Sequence, residues 1–241
     1  MRSPRGAMSF LTPIGGASVP SPADLGWFPV VGAAIGAVLG LVWWGAAHAW
    51  PPAVAAALVL VCDLALTGLL HFDGLVDSAD GLLPHLTRTR RLEVMTQPTV
   101  GAFGVSAAAL AIVVRFAALA STRPSVILLV GIWCGSRTLM AVATSVLPYA
   151  RDEGGLASSF RAPGRQRAIV TGTIGLAGTL VCALFWHPLG GAVAVVAATL
   201  CAAGVLWLSV RRLGGFTGDV LGASGVVFET VGLLVAAARW S

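Results

Sequence analysis

The chain contains no lysine: all 15 of its basic residues are arginine. That removes Schiff-base and lysine-nucleophile chemistry from consideration. Charge of either sign is scarce, at 10% of 241 residues, where soluble globular proteins carry about 25%. Hydrophobic residues make up 57% and mean hydropathy is +0.89, the composition of a protein built for lipid. The four cysteines, Cys62, Cys134, Cys182 and Cys201, lie far apart in apolar runs with no CxxC pair, which predicts small packing residues rather than disulfides or metal ligands. Nucleic acid is not an expected partner despite the net charge of +5, because the arginines sit between hydrophobic runs, where membrane topology puts them. The first 26 residues lack the apolar core and cleavage site of a signal peptide and read as an interfacial or flexible segment, with a short amphipathic piece at 9–14. No soluble domain or repeat interrupts the rest, so residues 1–241 read as one membrane-embedded domain.

What the chain has in abundance is long apolar runs. They fall at about 27–49, 53–70, 101–121, 124–147, 168–187, 189–210 and from about 220 to 240, each near the length that crosses a hydrocarbon core of ~30 Å. The expected fold is therefore all-α, a polytopic bundle of about seven transmembrane helices. Gly32, Gly36 and Gly40 make a smooth stripe on the first span that suits an internal helix contact or a subunit interface equally well. Asp63, Arg115, Arg137 and Glu229 lie inside spans, where isolated charge is costly. Asp63 is thus expected to face the bundle interior, either as a structural partner of Arg115 or Arg137 or in a functional role. His48, His85 and His187 have no chemical company and read as structural or interfacial.

The one dense cluster of charge is His71-Phe72-Asp73-Gly74-Leu75-Val76-Asp77-Ser78-Ala79-Asp80-Gly81. Asp73, Asp77 and Asp80 are spaced i, i+4, i+7 and so share one face of a helix. Three carboxylates that close repel, and a cation such as Mg²⁺ with a phosphorylated substrate relieves them. A cytoplasmic N-terminus puts Arg2, Arg5, Arg88, Arg90, Arg91, Arg151, Arg161, Arg165, Arg167, Arg211 and Arg212 on the cytoplasmic side. Only Arg123 and Arg239 fall outside, a strong positive-inside bias. The same orientation brings Asp73, Asp77, Asp80, Glu93, Asp152, Glu153 and Asp219 to that face. Acids and arginines from separate polar segments then converge on one surface, as a site for a pyrophosphate ester requires.

In that reading Asp73, Asp77, Asp80 and Asp219 are the candidate metal ligands. Arg88, Arg91 and Arg151, the backbone of Gly101 and Gly104, and the Thr217-Gly218 turn that opens a helix are candidate phosphate contacts. Arg137 is the better placed of the two span arginines to reach substrate, with internal salt-bridging as its competing role. His71 is a candidate general base, or a residue that orients a metal-bound carboxylate.

The run Thr67-Gly68-Leu69-Leu70-His71-Phe72-Asp73-Gly74-Leu75-Val76-Asp77-Ser78-Ala79-Asp80-Gly81-Leu82 is followed by Glu93-Val94-Met95, Val100-Gly101-Ala102-Phe103-Gly104, Tyr149-Ala150-Arg151 and Gly218-Asp219-Val220-Leu221-Gly222-Ala223. In this order the segments resemble the cobalamin synthase, or adenosylcobinamide-GDP ribazoletransferase, family, over nearly the whole chain from Phe28. The resemblance implies an Mg²⁺-dependent inner-membrane enzyme that joins adenosylcobinamide-GDP to α-ribazole or its 5′-phosphate and releases GMP. It implies that the aspartates hold Mg²⁺ on the pyrophosphate and that His71 or an aspartate takes the hydroxyl proton. Two departures stand out: Gln97-Pro98-Thr99 replaces an Asp-Ser-Arg-like triplet, and Val226 stands where the family often has a glutamate, leaving Glu229. A CDP-alcohol-type phosphotransferase fits less well, since Gly74 directly follows the first aspartate and no Ala-Arg comes after. A transporter fits less well again, because the acids concentrate at one face and no broken helix pair is evident in the sequence.

Overall fold

The computed structural model describes residues 4–16, 21–151 and 165–240. Arg2, Asp152, Glu153 and Arg161 lie outside the described residues, as do the side chains of Arg165 and Arg167. Helix α1 (Arg5–Leu11) precedes α2 (Phe28–Ala49), α3 (Pro52–Thr67), α4 (Leu70–Leu82) and α5 (Arg88–Val94). Then come α6 (Ala102–Ser121), α7 (Val126–Val146), α8 (Arg165–Trp186), α9 (Pro188–Leu213) and α10 (Gly218–Ala236). Among the described residues the β-structure is one isolated bridge, Tyr149 with Phe216. Among the described residues six helices are long and apolar enough to cross a membrane, and α3 with α4 forms a seventh span if the bent pair is counted as one.

The boundaries follow local chemistry. Prolines stand in the first turns of α2, α3 and α9, where a missing N–H costs nothing. Ser125 and Thr217 cap α7 and α10 by accepting the N–H of Leu128 and Val220. The expected second span departs most from its sequence reading. The helix stops at Thr67, Gly68 and Leu69 take left-handed φ values of 59° and 61°, and α4 sets off at 88° to α3. Leu69 N–H bonds back to Leu64 O across the break, a Schellman-like closure, and Asp73 N–H reaches Leu69 O to start α4. A leucine at positive φ is strained by about 1 kcal/mol or more, so surrounding packing must hold it there.

The glycine stripe on α2 is an internal contact. A Cβ on Gly32, Gly36 or Gly40 would come within 2.4, 2.3 and 2.6 Å of Trp133 O, Leu129 O and Val126 Cα, so α7 occupies the stripe at backbone distance. The N-terminal segment is also built into the protein. Gly6, Ala7, Phe10 and Leu11 of α1 are buried, Phe10 stacks on Phe28 at 5.7 Å, and α1 faces protein where an amphipathic surface piece was expected.

Inside the bundle the four span charges meet. Arg115 Nη1 donates to Asp63 Oδ2 at 2.8 Å and Nη2 to Glu229 Oε2 at 2.6 Å, while Nε bonds Thr230 Oγ1. Trp133 Nε1 completes Asp63, Ser136 Oγ completes Glu229, and Arg137 Nη1 pairs with Glu229. Two cations and two anions cancel, and the network joins α3, α6, α7 and α10 at a depth where a lone charge costs about 3 kcal/mol. The guanidinium of Arg115 also lies 5.1 Å over the Phe72 ring, which ties the start of α4 to the same point. Glu229→Gln strips the anion from two buried guanidinium groups and is expected to cost about 3–5 kcal/mol, a fall of roughly 10 °C in thermal midpoint in detergent. An unchanged midpoint would show that the network does not hold the bundle.

Candidate active site

The bend between α3 and α4 matters because of where it delivers α4. Gly74 and Gly222 are the contact points with α10: a Cβ on Gly74 would lie 2.6 Å from Asp219 O, and one on Gly222 would lie 3.1 Å from His71 Cα. Only glycine at position 74 lets the two helices approach this far, which sets the first aspartate of α4 beside the first turn of α10. Between them opens a cleft of about 150 Å³ lined by Asp73, Asp219, Gly218 and Arg151 together with Phe10, Leu70, His71, Met140, Tyr149 and Gly222.

Asp219 is held from two sides. Arg151 Nη2 donates to its Oδ2 at 3.1 Å, and Thr217 Oγ1 lies 3.2 Å from the same oxygen while capping α10. Tyr149 and Arg151 are brought there by the short bridge in which Ala150 N–H bonds Phe216 O and Phe216 N–H bonds Pro148 O. Asp73 is exposed, Asp77 half-buried, and neither makes an ion pair among the described residues. Among those residues no three His, Cys, Asp or Glu side chains converge closely enough to hold a metal ion by themselves.

The remaining sequence candidates have other uses in the structure. Asp80 is buried and accepts the N–H of Gly101 at 2.6 Å and of Gly104 at 2.9 Å, so it caps α6 from α4. The expected role of Gly101 and Gly104 as phosphate donors is therefore corrected: their N–H groups are bound to Asp80, and a Cβ on either would strike its carboxylate at 2.5 Å. Asp80, a candidate metal ligand by its spacing, serves in the structure as a cap, with one N–H bound to each of its oxygens. Arg88 donates to Leu213 O and Ala150 O, each at 2.7 Å, and Arg91 to Gly81 O and Leu82 O at 2.7 and 2.8 Å. Both fasten chain ends rather than face the cleft, because unpaired helix-terminal carbonyls are acceptors as good as phosphate oxygens. Arg137, expected to reach substrate, is 1% exposed and paired with Glu229 beneath the cleft.

His71 sits off the aspartate face, as its spacing required, yet lines the cleft because α10 packs on that side. The residue is 4% exposed, and neither ring nitrogen has a hydrogen-bond partner among the described residues. Phe10, Leu70 and Met140 were not signalled by the sequence, for apolar residues in so apolar a chain carry no contrast. Tyr149 offered one cue, as the only tyrosine.

The model of the cobalamin-5-phosphate synthase family matches residues 3–237 of the chain. A protein of Bradyrhizobium diazoefficiens named adenosylcobinamide-GDP ribazoletransferase is 39% identical over 190 residues, 78% of this chain and 72% of its own. Proteins of the same name from Chlorobaculum parvum and Syntrophobacter fumaroxidans are 33% and 35% identical, covering 89% and 97% of this chain and 85% and 97% of their own. No solved structure matches.

The two kinds of aspartate are separable by experiment. Asp80→Ala leaves two N–H groups of α6 without their acceptor, at about 1–3 kcal/mol each, and is expected to lower the thermal midpoint clearly. Asp77→Ala removes repulsion and is expected to leave the midpoint unchanged or raised. The reverse order would contradict the capping assignment.

Proposed function

The chain belongs to the cobalamin-5-phosphate synthase family, and from that premise we propose how its cleft carries out the adenosylcobinamide-GDP ribazoletransferase reaction, the last step of cobalamin nucleotide-loop assembly. A ribose hydroxyl of ribazole, or of its 5′-phosphate, attacks the phosphorus nearer the corrinoid. The bond from that phosphorus to the bridging oxygen breaks, GMP departs with the electron pair, and the hydroxyl proton passes to a carboxylate at the rim. The observation that carries this reading is the meeting of Asp73 on α4 with the Asp219–Arg151 pair at one cleft, with Asp77 one turn further along the same face of α4. A pyrophosphate ester needs both signs of charge, and few other sites in so charge-poor a chain offer them.

The donor set favours Mg²⁺. Hard carboxylate oxygens too few to cage an ion alone match the way Mg²⁺ is usually bound, by one or two carboxylates with substrate phosphates and water. Asp73 and Asp77, which have no cation of their own, would hold it. When bound, the ion would draw charge from the pyrophosphate and the leaving GMP. Arg151 would offset phosphate charge, and Gly218 would offer backbone close to it. The arginine bias of the polar segments supports an inner-membrane protein with this cleft on the cytoplasmic side.

The test is incubation of the purified protein with adenosylcobinamide-GDP and α-ribazole, with and without Mg²⁺, comparing wild type with Asp77→Asn. GMP release is expected to fall by roughly 100-fold or more in the variant and on removal of the ion. Full activity in Asp77→Asn would remove the metal role assigned to it, and phosphatidyl transfer without cobamide formation would overturn the reaction itself.

A further inference from the structure

The cleft changes character with depth, and α10 serves as the ruler. Asp219 stands at its first turn, His71 packs against Gly222, and Met140 Sδ lies 3.2 Å from where a Cβ on Gly225 would be. Each step is about one helical turn, or 5 Å, further into the bundle. The charged groups Asp73, Asp219 and Arg151 therefore belong to the rim. Away from the rim the lining is apolar apart from the imidazole of His71 and the hydroxyl of the half-buried Tyr149.

That imidazole is buried with both nitrogens unpaired. Such a group has given up its hydrogen bonds to water, and a ligand atom placed against it would restore one. The parts of the two substrates can be sorted by size and polarity, taking the ribazoletransferase reading as given. A corrin macrocycle is far too large, since a cavity of about 150 Å³ is the size that accommodates a benzene. Guanine is small enough but carries at least four hydrogen-bonding positions on its edges, and a wall offering one imidazole and one hydroxyl would leave the others buried without partners. The base of ribazole is a flat, mostly apolar benzimidazole, and once one nitrogen bears the ribose it has a single acceptor left.

We propose that the apolar part of the cleft, the buried His71, Phe10 and Met140 with the more exposed Leu70 and Tyr149 above them, is the subsite for the benzimidazole base of the acceptor nucleoside, and that His71 donates a hydrogen bond to its free ring nitrogen. Aromatic and thioether side chains are well suited to the faces of such a ring. A base seated there directs the attached ribose towards the rim, where Asp73 and Asp219 stand and where the pyrophosphate is expected. His71 is then a recognition residue rather than the general base.

The decisive probe is the indole analogue of ribazole, in which C–H replaces the free nitrogen and the shape is kept. Binding of each nucleoside to the purified full chain in nanodiscs is measured by calorimetry, alongside steady-state turnover with adenosylcobinamide-GDP. Wild type is expected to prefer ribazole about 10-fold or more, the value of one buried hydrogen bond, and His71→Phe to lose that preference. Phe10→Ala is expected to raise KM for ribazole while leaving KM for adenosylcobinamide-GDP unchanged. Equal affinity of wild type for the two nucleosides would overturn the proposal. So would a His71→Phe variant whose kcat falls while its KM for ribazole stays fixed, the behaviour of a lost general base. Wild-type protein that forms no cobamide at all would instead refute the transferase reading on which the proposal rests, an outcome distinct from turnover without discrimination.

Discussion

Four ionised side chains, Asp63, Arg115, Arg137 and Glu229, face one another inside the bundle, and the helices around the cleft take their places from them. In lipid an unpaired charge has no water to fall back on, so each arginine fixes the separation and rotation of the helices that supply its acceptors. Arg115 reaches α3 through Asp63 and α10 through Glu229 and Val226 O, and its guanidinium covers Phe72 at the start of α4. The strained turn at Gly68 and Leu69 lies between two anchored points, Asp63 before it and Phe72 after it. The network therefore places α4, and α4 carries the aspartates.

A second layer of polar contacts fixes the other end of α4 without using a metal or a substrate. Arg91 and Arg212 both donate to carbonyls of its last turn, and Asp80 caps α6. Arg88 ties the segments around Ala150 and Leu213 together, which carries Arg151 to Asp219. Much of the scarce charge of this chain is thus structural. Asp73 and the Asp219–Arg151 pair meet at one cleft, with Asp77 a turn away on α4, and the functional reading rests on that group.

Hydropathy and spacing made much of this legible. Long apolar runs can satisfy their backbone in lipid only as helices, so the spans were readable to within a few residues, and the cost of buried charge pointed Asp63 inward towards an arginine. The break after Thr67 was hidden because Gly68-Leu69-Leu70 continues an apolar run, and a leucine forced to positive φ leaves no mark in sequence. Arg88 and Arg91 bind main-chain carbonyls, which accept from a guanidinium as phosphate oxygens do, and the N–H groups of Gly101 and Gly104 are taken by the Asp80 carboxylate, an acceptor as good as phosphate; only tertiary structure says which partner is in reach. The apolar wall of Phe10, Leu70 and Met140 was silent because the whole chain is apolar.

The central proposal is that Asp73 and Asp77, rather than the capping Asp80, hold a divalent ion together with the pyrophosphate. Electron paramagnetic resonance of Mn²⁺, used in place of Mg²⁺ on the purified protein with adenosylcobinamide-GDP, tests it most directly. The account predicts one tightly bound ion per chain that requires the substrate, that is lost in a double variant with Asp73→Asn and Asp77→Asn, and that persists in Asp80→Asn. An ion bound equally well by the double variant, or lost only when Asp80 is replaced, would contradict it.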